Sequence, residues 1–232
     1  MKWKPEKRWD GGDAFIIGGG PSLAGFDFDL LEGKNCIGCN LAFLLGEEIV
    51  PILYFTDFSF WGKNREEILD EYQGEVIAGS TSFTDEAHHW IKHVSRKRDG
   101  LHSKGHAIGW NYSTGASAID LALRFGADRV FLLGVDLKTD KGNRMNWHSD
   151  NACERKDLDS LFLRFRRGFE RVARDLPEVY PGRSVIQVNN EPPLDCFPSM
   201  GVREFLEMLN PPTQLQIWKE TAKEDAAHGA FD

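Results

Sequence analysis

Apolar and polar positions alternate along the chain between two periods. Short apolar runs predict buried strands at "DAFIIGG", "NCIGCN", "PILYFTD", "EVIAGS", "HAIGWN", "RVFLLGVD" and "SVIQVNN". Stretches with 3.6-residue spacing lie between them. They predict helices at "SFWGKNREEILDEY", at "TDEAHHWIKHV" with Thr84 as N-cap, at "STGASAIDLALRFGA", from roughly Asp157 to Asp175, and at "VREFLEML". "LAFLLGEE" reads as a further helix, and "FDFDLLEG" as a short helix or turn closed by Gly33. Ser113 or Thr114 suits the N-cap of the clearest helix, and Gly126 its C-terminal stop. Residues 95 to 105 carry turn and charge signals and read as a flexible loop.

Strands alternating with helices predict an α/β fold. The expected form is a single Rossmann-like, doubly wound, mostly parallel sheet with helices on both faces. The expected organisation is one nucleotide-binding domain over residues 1–210, followed by a peripheral, polar tail over 211–232. Ligands of such sheets bind outside the carboxyl ends of the strands. The residues to weigh are therefore Gly18–Ser22, Asn40, Thr56–Asp57, Asn111–Gly115, and Asp136 through His148.

Composition narrows the partners. The 232 residues suit one domain with a sizeable core. The formal net charge of −8 argues against broad affinity for duplex nucleic acid, which rests on many phosphate-neutralising cations. A local basic cleft is compatible with that balance. Its candidates are "RKRDG" at 96–100 and "RFRRGFERVAR" at 164–174, the second spaced like a solvated helix face. No apolar run approaches the ~20 residues of a membrane span, and the charged start lacks a signal-peptide core, so the expectation is a cytoplasmic protein. Cys36 and Cys39 form a C-x2-C, but they sit in a strand without a second such pair, so reduced, partly buried thiols are expected. His89 and His93 are spaced for one helix face, but no third metal ligand accompanies them.

The strand ends make a coherent list. Gly18, Gly19 and Gly20 form a turn without side chains whose amides can face an anion, and Pro21 and Ser22 continue it. The pattern is neither the dinucleotide fingerprint nor the P-loop. A tight structural turn is the plain alternative. Ser113, Thr114 and Gly115 open a helix, where free amides and the macrodipole favour negative charge. Simple capping explains one of those two hydroxyls. Asn40 can donate to and accept from a base or ribose. Asp57 and Asp136 end apolar strands and suit a metal, a ribose hydroxyl or a helix cap. His148 is the candidate acid/base: its ordinary pKa of ~6.5 suits proton transfer near neutrality, and it lies in a polar loop after the most buried strand.

The blocks "IIGGGPSL", "CIGCNLAF", "STGASAIDLALRFGADRVFLLGVDL", "WHSD" and "VNNEPPLDCFP" occur in an order that resembles the sialyltransferases of glycosyltransferase family 42. They equally resemble the wider superfamily of 6-hydroxymethylpterin diphosphokinase-like proteins (uncharacterised domain 115) and flagellin-glycosylation proteins. The resemblance covers roughly residues 14–198 in blocks.

The sialyltransferase resemblance implies a metal-independent transferase. It would bind a nucleotide-sugar donor, CMP-sialic acid in that family, through Gly18–Ser22, Asn40 and Ser113–Gly115, with His148 as general base; Asp136, at its own strand end, is expected to join them in nucleotide binding. Two departures stand out. Gly19 takes the place of an Asn usual in the family turn. "KTDKGNRMNW" replaces a stretch with two phosphate-binding tyrosines, leaving Lys138, Lys141 or Arg144 for that task. The diphosphokinase resemblance instead implies ATP with Mg2+ on Asp57 and Asp136. A non-catalytic nucleotide-binding module is the third reading. The acceptor and a homo-oligomeric state stay open at this point.

Overall fold

The computed structural model describes residues 3–79, 90–149 and 151–211. Its centre is an eight-stranded sheet in which every neighbouring pair is parallel. In chain order the elements are β1 (Asp13–Ile17), β2 (Asn35–Cys39), β3 (Ile52–Phe55), α1 (Phe58–Glu71), β4 (Glu75–Ala78), β5 (Lys92–His93), β6 (Ser95–Lys97), β7 (Ala107–Gly109), α2 (Thr114–Phe125), β8 (Arg129–Leu133), α3 (Leu158–Val179), β9 (Ser184–Val188), β10 (Ser199–Met200) and α4 (Val202–Leu209). The sheet order is β10-β9-β8-β1-β2-β3-β4-β5, and β6 pairs with β7 in a separate two-stranded sheet. Strand order reverses between β1 and β8. Loops leaving those two strands therefore diverge and open a crevice at their carboxyl ends.

The period of two along each strand divides the core. Ala14, Ile16, Ile37, Tyr54, Val130 and Leu132 face α2 and α3. Phe15, Ile17, Leu53, Phe55, Phe131 and Leu133 face the layer that holds Trp61 and Ile68 of α1 and Phe205 of α4. Helices thus cover both faces, and near-continuous apolar strands follow from burial on both sides. Cys36 and Cys39 are three apart on β2, an odd spacing, and so lie in opposite core layers. Burial pushes both thiols up to about 12. One zinc or one disulfide cannot span a sheet in this way.

α2 is buried on nearly every side. Its small residues Ala116, Ser117, Ala118 and Ala122 let it settle close onto the sheet. Ser113 caps its start, accepting from the Ala116 amide at 3.5 Å. Gly126 ends it in the left-handed conformation at φ 114°, and a Cβ there would strike the Trp9 carbonyl.

Several expectations meet a different local answer. Most of the helix expected at "TDEAHHWIKHV", with Thr84 and His89, falls on residues 80–89, outside the described residues. Its end is not helical: Lys92 and His93 pair with Ile77 and Ala78 as β5. Buried Ile91 and Val94 flank this short edge strand and hold it down. The expected loop at 95–105 begins with β6, whose charged "SRK" hides a strand paired with β7. "LAFLLGEE" forms a 3-10 turn over Asn40–Leu45, stopped by Gly46 at φ 77°. β10 is only two residues long and leaves no periodic signal. Of the 211–232 tail, only residue 211 is described.

Candidate functional site

A cavity of about 630 Å³ opens at the carboxyl ends of β1, β2, β3 and β8. Its walls include Gly18, Gly19, Gly20, Asn40, Asp57, Ser113, Thr114, Gly115, Asp136 and His148, so most of the expected strand-end residues meet in one space. Pro21 and Ser22 lie behind the wall, in a short 3-10 turn over Pro21–Leu23.

The glycine turn is shaped chiefly by its own packing. Its amides at Gly18 and Gly20 donate to the carbonyls of Leu133 and Gly134, both at 2.8 Å. A Cβ on Gly18 would lie 2.6 Å from the Gly134 carbonyl oxygen, and one on Gly20 would lie 2.5 Å from Asp136 Oδ2. The glycines thus let the turn lie against the continuation of β8. Pro21 has no N–H, and the Ser22 amide is taken by Asp136. The Gly19 amide is the one N–H of the turn that these bonds leave for a ligand.

Asp136 is a latch. It is 3% exposed. Its carboxylate accepts from the Ser22 amide at 2.6 Å, the Ser22 hydroxyl at 2.7 Å and the Asn189 side-chain amide at 2.9 Å. It joins the ends of β1, β8 and β9. Three donors on two oxygens leave little capacity for a metal ion, and Asp57 and Asp136 are the only carboxylates on the cavity wall among the described residues. The described residues hold no cluster of three or more ligating side chains.

The start of α2 faces the same space. Ser113 acts as the cap, and the Thr114 hydroxyl pairs with the Thr56 hydroxyl at 2.9 Å. Both hydroxyls therefore have internal partners. Helix geometry leaves the amides of Thr114 and Gly115 without an intrahelical acceptor. A Cβ on Gly115 would make only ordinary contact with Phe169, at 3.6 Å, so close packing does not demand a glycine there.

Asn40 is held in the left-handed region at φ 54°, which Asn tolerates better than most residues. Its side-chain oxygen is buried and has no hydrogen-bond partner. It lies on the wall between the glycine turn and β3. A buried acceptor left unmade costs free energy that a donor from a ligand would recover.

His148 sits in the loop after β8, and Trp147 fixes that loop. The Trp147 amide donates to the Gly19 carbonyl at 2.9 Å, and its indole N–H to the Gly18 carbonyl at 3.0 Å. Its ring packs on Phe28 at 5.1 Å. A Cβ on Gly19 would lie 2.7 Å from Asn146 Oδ1 and 3.8 Å from His148 Nε2. Asn146 thus fills the space a side chain at Gly19 would need. Burial lowers the His148 pKa from its ordinary value, so the ring is a neutral base over a wider range of pH.

Sequence reasoning missed several wall residues. Lys63 and Asn64 come from α1, Trp110 from the turn before α2, and Phe162, Arg164 and Phe165 from α3, while Tyr112 falls within the expected stretch Asn111–Gly115. Arg164 opens the run 164–174, which the sequence offers both as a basic-cleft candidate and as a solvated helix face, and it lines the cavity. The missed signal was Leu161, Phe162, Phe165 and Phe169, an apolar stripe at helical spacing alongside it. Of the cations expected to meet phosphate, Lys138 lines the cavity and pairs with Glu191, Arg144 is held by Asp140 at 2.6 Å, and Lys141 is off the wall. Arg155 lines it and pairs with Asp157. Lys63 and Arg164 pair with no carboxylate among the described residues.

The fold defined by this sheet recurs in a known structure. The chain superposes on the MAf glycosyltransferase from Magnetospirillum magneticum AMB-1 with a TM-score of 0.56 and 14% identity, over 97% of this chain and 39% of that one. The chain therefore spans about two fifths of the length of that protein. The sialyltransferase CstII from Campylobacter jejuni, solved with the substrate analogue CMP-3FNeuAc, aligns at a TM-score of 0.44 and 12% identity, over 76% of this chain and 80% of that one. CstII with CMP aligns at 0.43 and 13% identity, over the same shares. No family model and no curated protein matches the chain. No helix among the described residues is long and apolar enough to cross a membrane.

Proposed function

We propose that this protein is a glycosyltransferase that moves a sugar from a nucleotide-activated donor, a CMP-sugar by preference, to an acceptor hydroxyl. The observation that carries the reading is Asn40: a buried, unpartnered amide oxygen on the wall of a cavity edged by free helix-start amides. A nucleobase or ribose donor fits that acceptor. The amides of Gly19, Thr114 and Gly115 suit the donor's phosphate, helped by the α2 dipole and by Lys63 and Arg164.

In this reading His148 takes the proton of the acceptor hydroxyl as that oxygen attacks the anomeric carbon. The bond between that carbon and the phosphate oxygen breaks, and the nucleotide leaves with the electron pair. Its lowered pKa keeps the imidazole ready to accept a proton at neutrality. Trp147 holds it over the glycine turn, where the phosphate would lie.

Thermal shift against CMP, CDP, UDP and ATP, each with and without Mg2+, tests this. Stabilisation by CMP that chelator does not remove is the expected result. Stabilisation by ATP alone, and only with Mg2+, would overturn it in favour of a diphosphokinase-like transferase. Tight CMP binding with no donor ever consumed would point to a binding module.

A further inference from the structure

A ledge of stacked aromatic and cationic side chains borders the cavity where β3 and the start of α2 meet. Trp110 and Tyr112 line the cavity and pack at 5.1 Å between ring centroids. The Arg96 guanidinium lies 4.4 Å over Trp110 and donates to the Thr56 carbonyl at 3.2 Å. Arg98 donates to the Tyr112 hydroxyl at 2.8 Å. Arg171 of α3 lies 5.0 Å over the same ring. Asp99, paired with Arg171 at 2.7 Å, is the one carboxylate paired with these three guanidiniums among the described residues. The ledge carries surplus positive charge on a chain whose net charge is −8.

Its backbone is held under strain. Asn111 and Tyr112 are both left-handed, at φ 50° and 60°, an unfavourable pair for residues other than glycine. The surroundings enforce it. Asn111 is fully buried and exchanges two hydrogen bonds with Gly100, and a Cβ on Gly168 of α3 would collide with the Asn111 carbonyl. Asp120 of α2, also fully buried, accepts from the amides of His102 and Gly109 and holds the base of the loop. The result aims the Tyr112 side chain at the cavity rim, between two arginines that hold its hydroxyl in a more acidic state than usual.

The glycine turn leaves β1 and the ledge touches the end of β3, two strands away, which is about 10 Å at ordinary strand spacing. A nucleotide held by Asn40 and by the amides of Gly19, Thr114 and Gly115 does not use the side chains of Trp110, Tyr112, Arg98 or Arg171, which leaves the ledge for another ligand. A sugar ring offers an apolar face that stacks on an aromatic ring, and a guanidinium fork matches a carboxylate or phosphate. We infer that this ledge is the acceptor subsite and that it takes a sugar ring bearing a carboxylate or a phosphate. The inference rests on the glycosyltransferase reading above.

Isothermal titration with methyl β-glucuronide, glucose 6-phosphate and methyl β-glucoside tests it, each run with and without saturating CMP. At least one of the two anionic sugars binds about tenfold tighter than the neutral glucoside, and their ranking tells carboxylate from phosphate. Arg98→Gln with Arg171→Gln removes about tenfold of that affinity, and Trp110→Ala weakens all three sugars alike. Arg98 is exposed, so Arg98→Gln alone gives a partial loss in a protein whose fold is intact. Equal binding of the glucoside, undiminished binding by the double variant, or no binding of either anionic sugar at millimolar concentration overturns the assignment. Absence of a CMP shift strikes the proposed function. A normal CMP shift with no anionic preference strikes only the ledge.

Discussion

Asp136→Asn is the most informative single change, because the two readings of that residue predict opposite results. As a latch, its carboxylate holds Ser22 through the backbone and the hydroxyl and holds Asn189 from β9. An amide in the same place keeps one acceptor oxygen. If that oxygen takes the Ser22 amide, its NH2 meets the Asn189 NH2. If it takes Asn189, its NH2 meets the Ser22 N–H. Either way one buried donor loses its acceptor, and the remaining bonds lose the charge that strengthens them. One such loss costs about 1–3 kcal/mol. For a domain of this size that lowers the melting temperature by roughly 3–9 °C. The Ser22→Ala variant, which keeps the backbone bond, costs about 1 kcal/mol. Urea unfolding of both single variants and the double variant without ligand reads these terms. The double variant is less destabilised than the sum, because the two share a bond. Asp136→Asn within about 0.5 kcal/mol of the parent, with Ser22→Ala fully additive, refutes the latch. A metal ligand behaves otherwise: its neutralisation removes Mg2+-dependent ATP binding and leaves the apo protein as stable or more so.

Two further substitutions and one pH profile bear on the site. Asn40→Gly suits the backbone at φ 54° and removes the orphaned amide oxygen, so apo stability holds while CMP affinity falls roughly three- to tenfold by titration; unchanged affinity sinks the base or ribose contact. His148→Ala keeps the CMP thermal shift and lowers turnover by about 10²–10⁴. In the parent, kcat/KM falls on the acid side at a pH below 6.5, because burial lowers the folded pKa of the free protein and the base is lost only once the pH drops through it; an acid limb in kcat/KM centred above pH 7 contradicts this assignment.

The architecture was legible because burial on both sheet faces writes long apolar runs, and β1, β3 and β8 show them plainly. Edge strands were not. β5 and β6 carry Lys92, His93, Arg96 and Lys97, since a short strand at an edge or in a two-stranded sheet buries little. The strand-end rule gathered Asn40, Thr114 and His148 into one place without any tertiary information. It could not tell which groups remain free once the chain folds. The glycine turn promised a row of amides, yet the ladder to β8 and Asp136 consume most of them. The hydroxyl of Thr114 is spent on Thr56, fifty-eight positions away. Phe162 and Trp110 were not legible as site residues, because their placement depends on how α3 crosses α2 and on a strained turn that no local pattern encodes.

The two bonds from Trp147 to the glycine turn reach beyond the placing of one imidazole. A segment anchored by both its backbone and its indole cannot swing aside as a hatch without breaking both links and wetting the face it shares with Phe28. Phe60, Lys63 and Phe162 line the same cavity from α1 and α3, away from that anchored stretch.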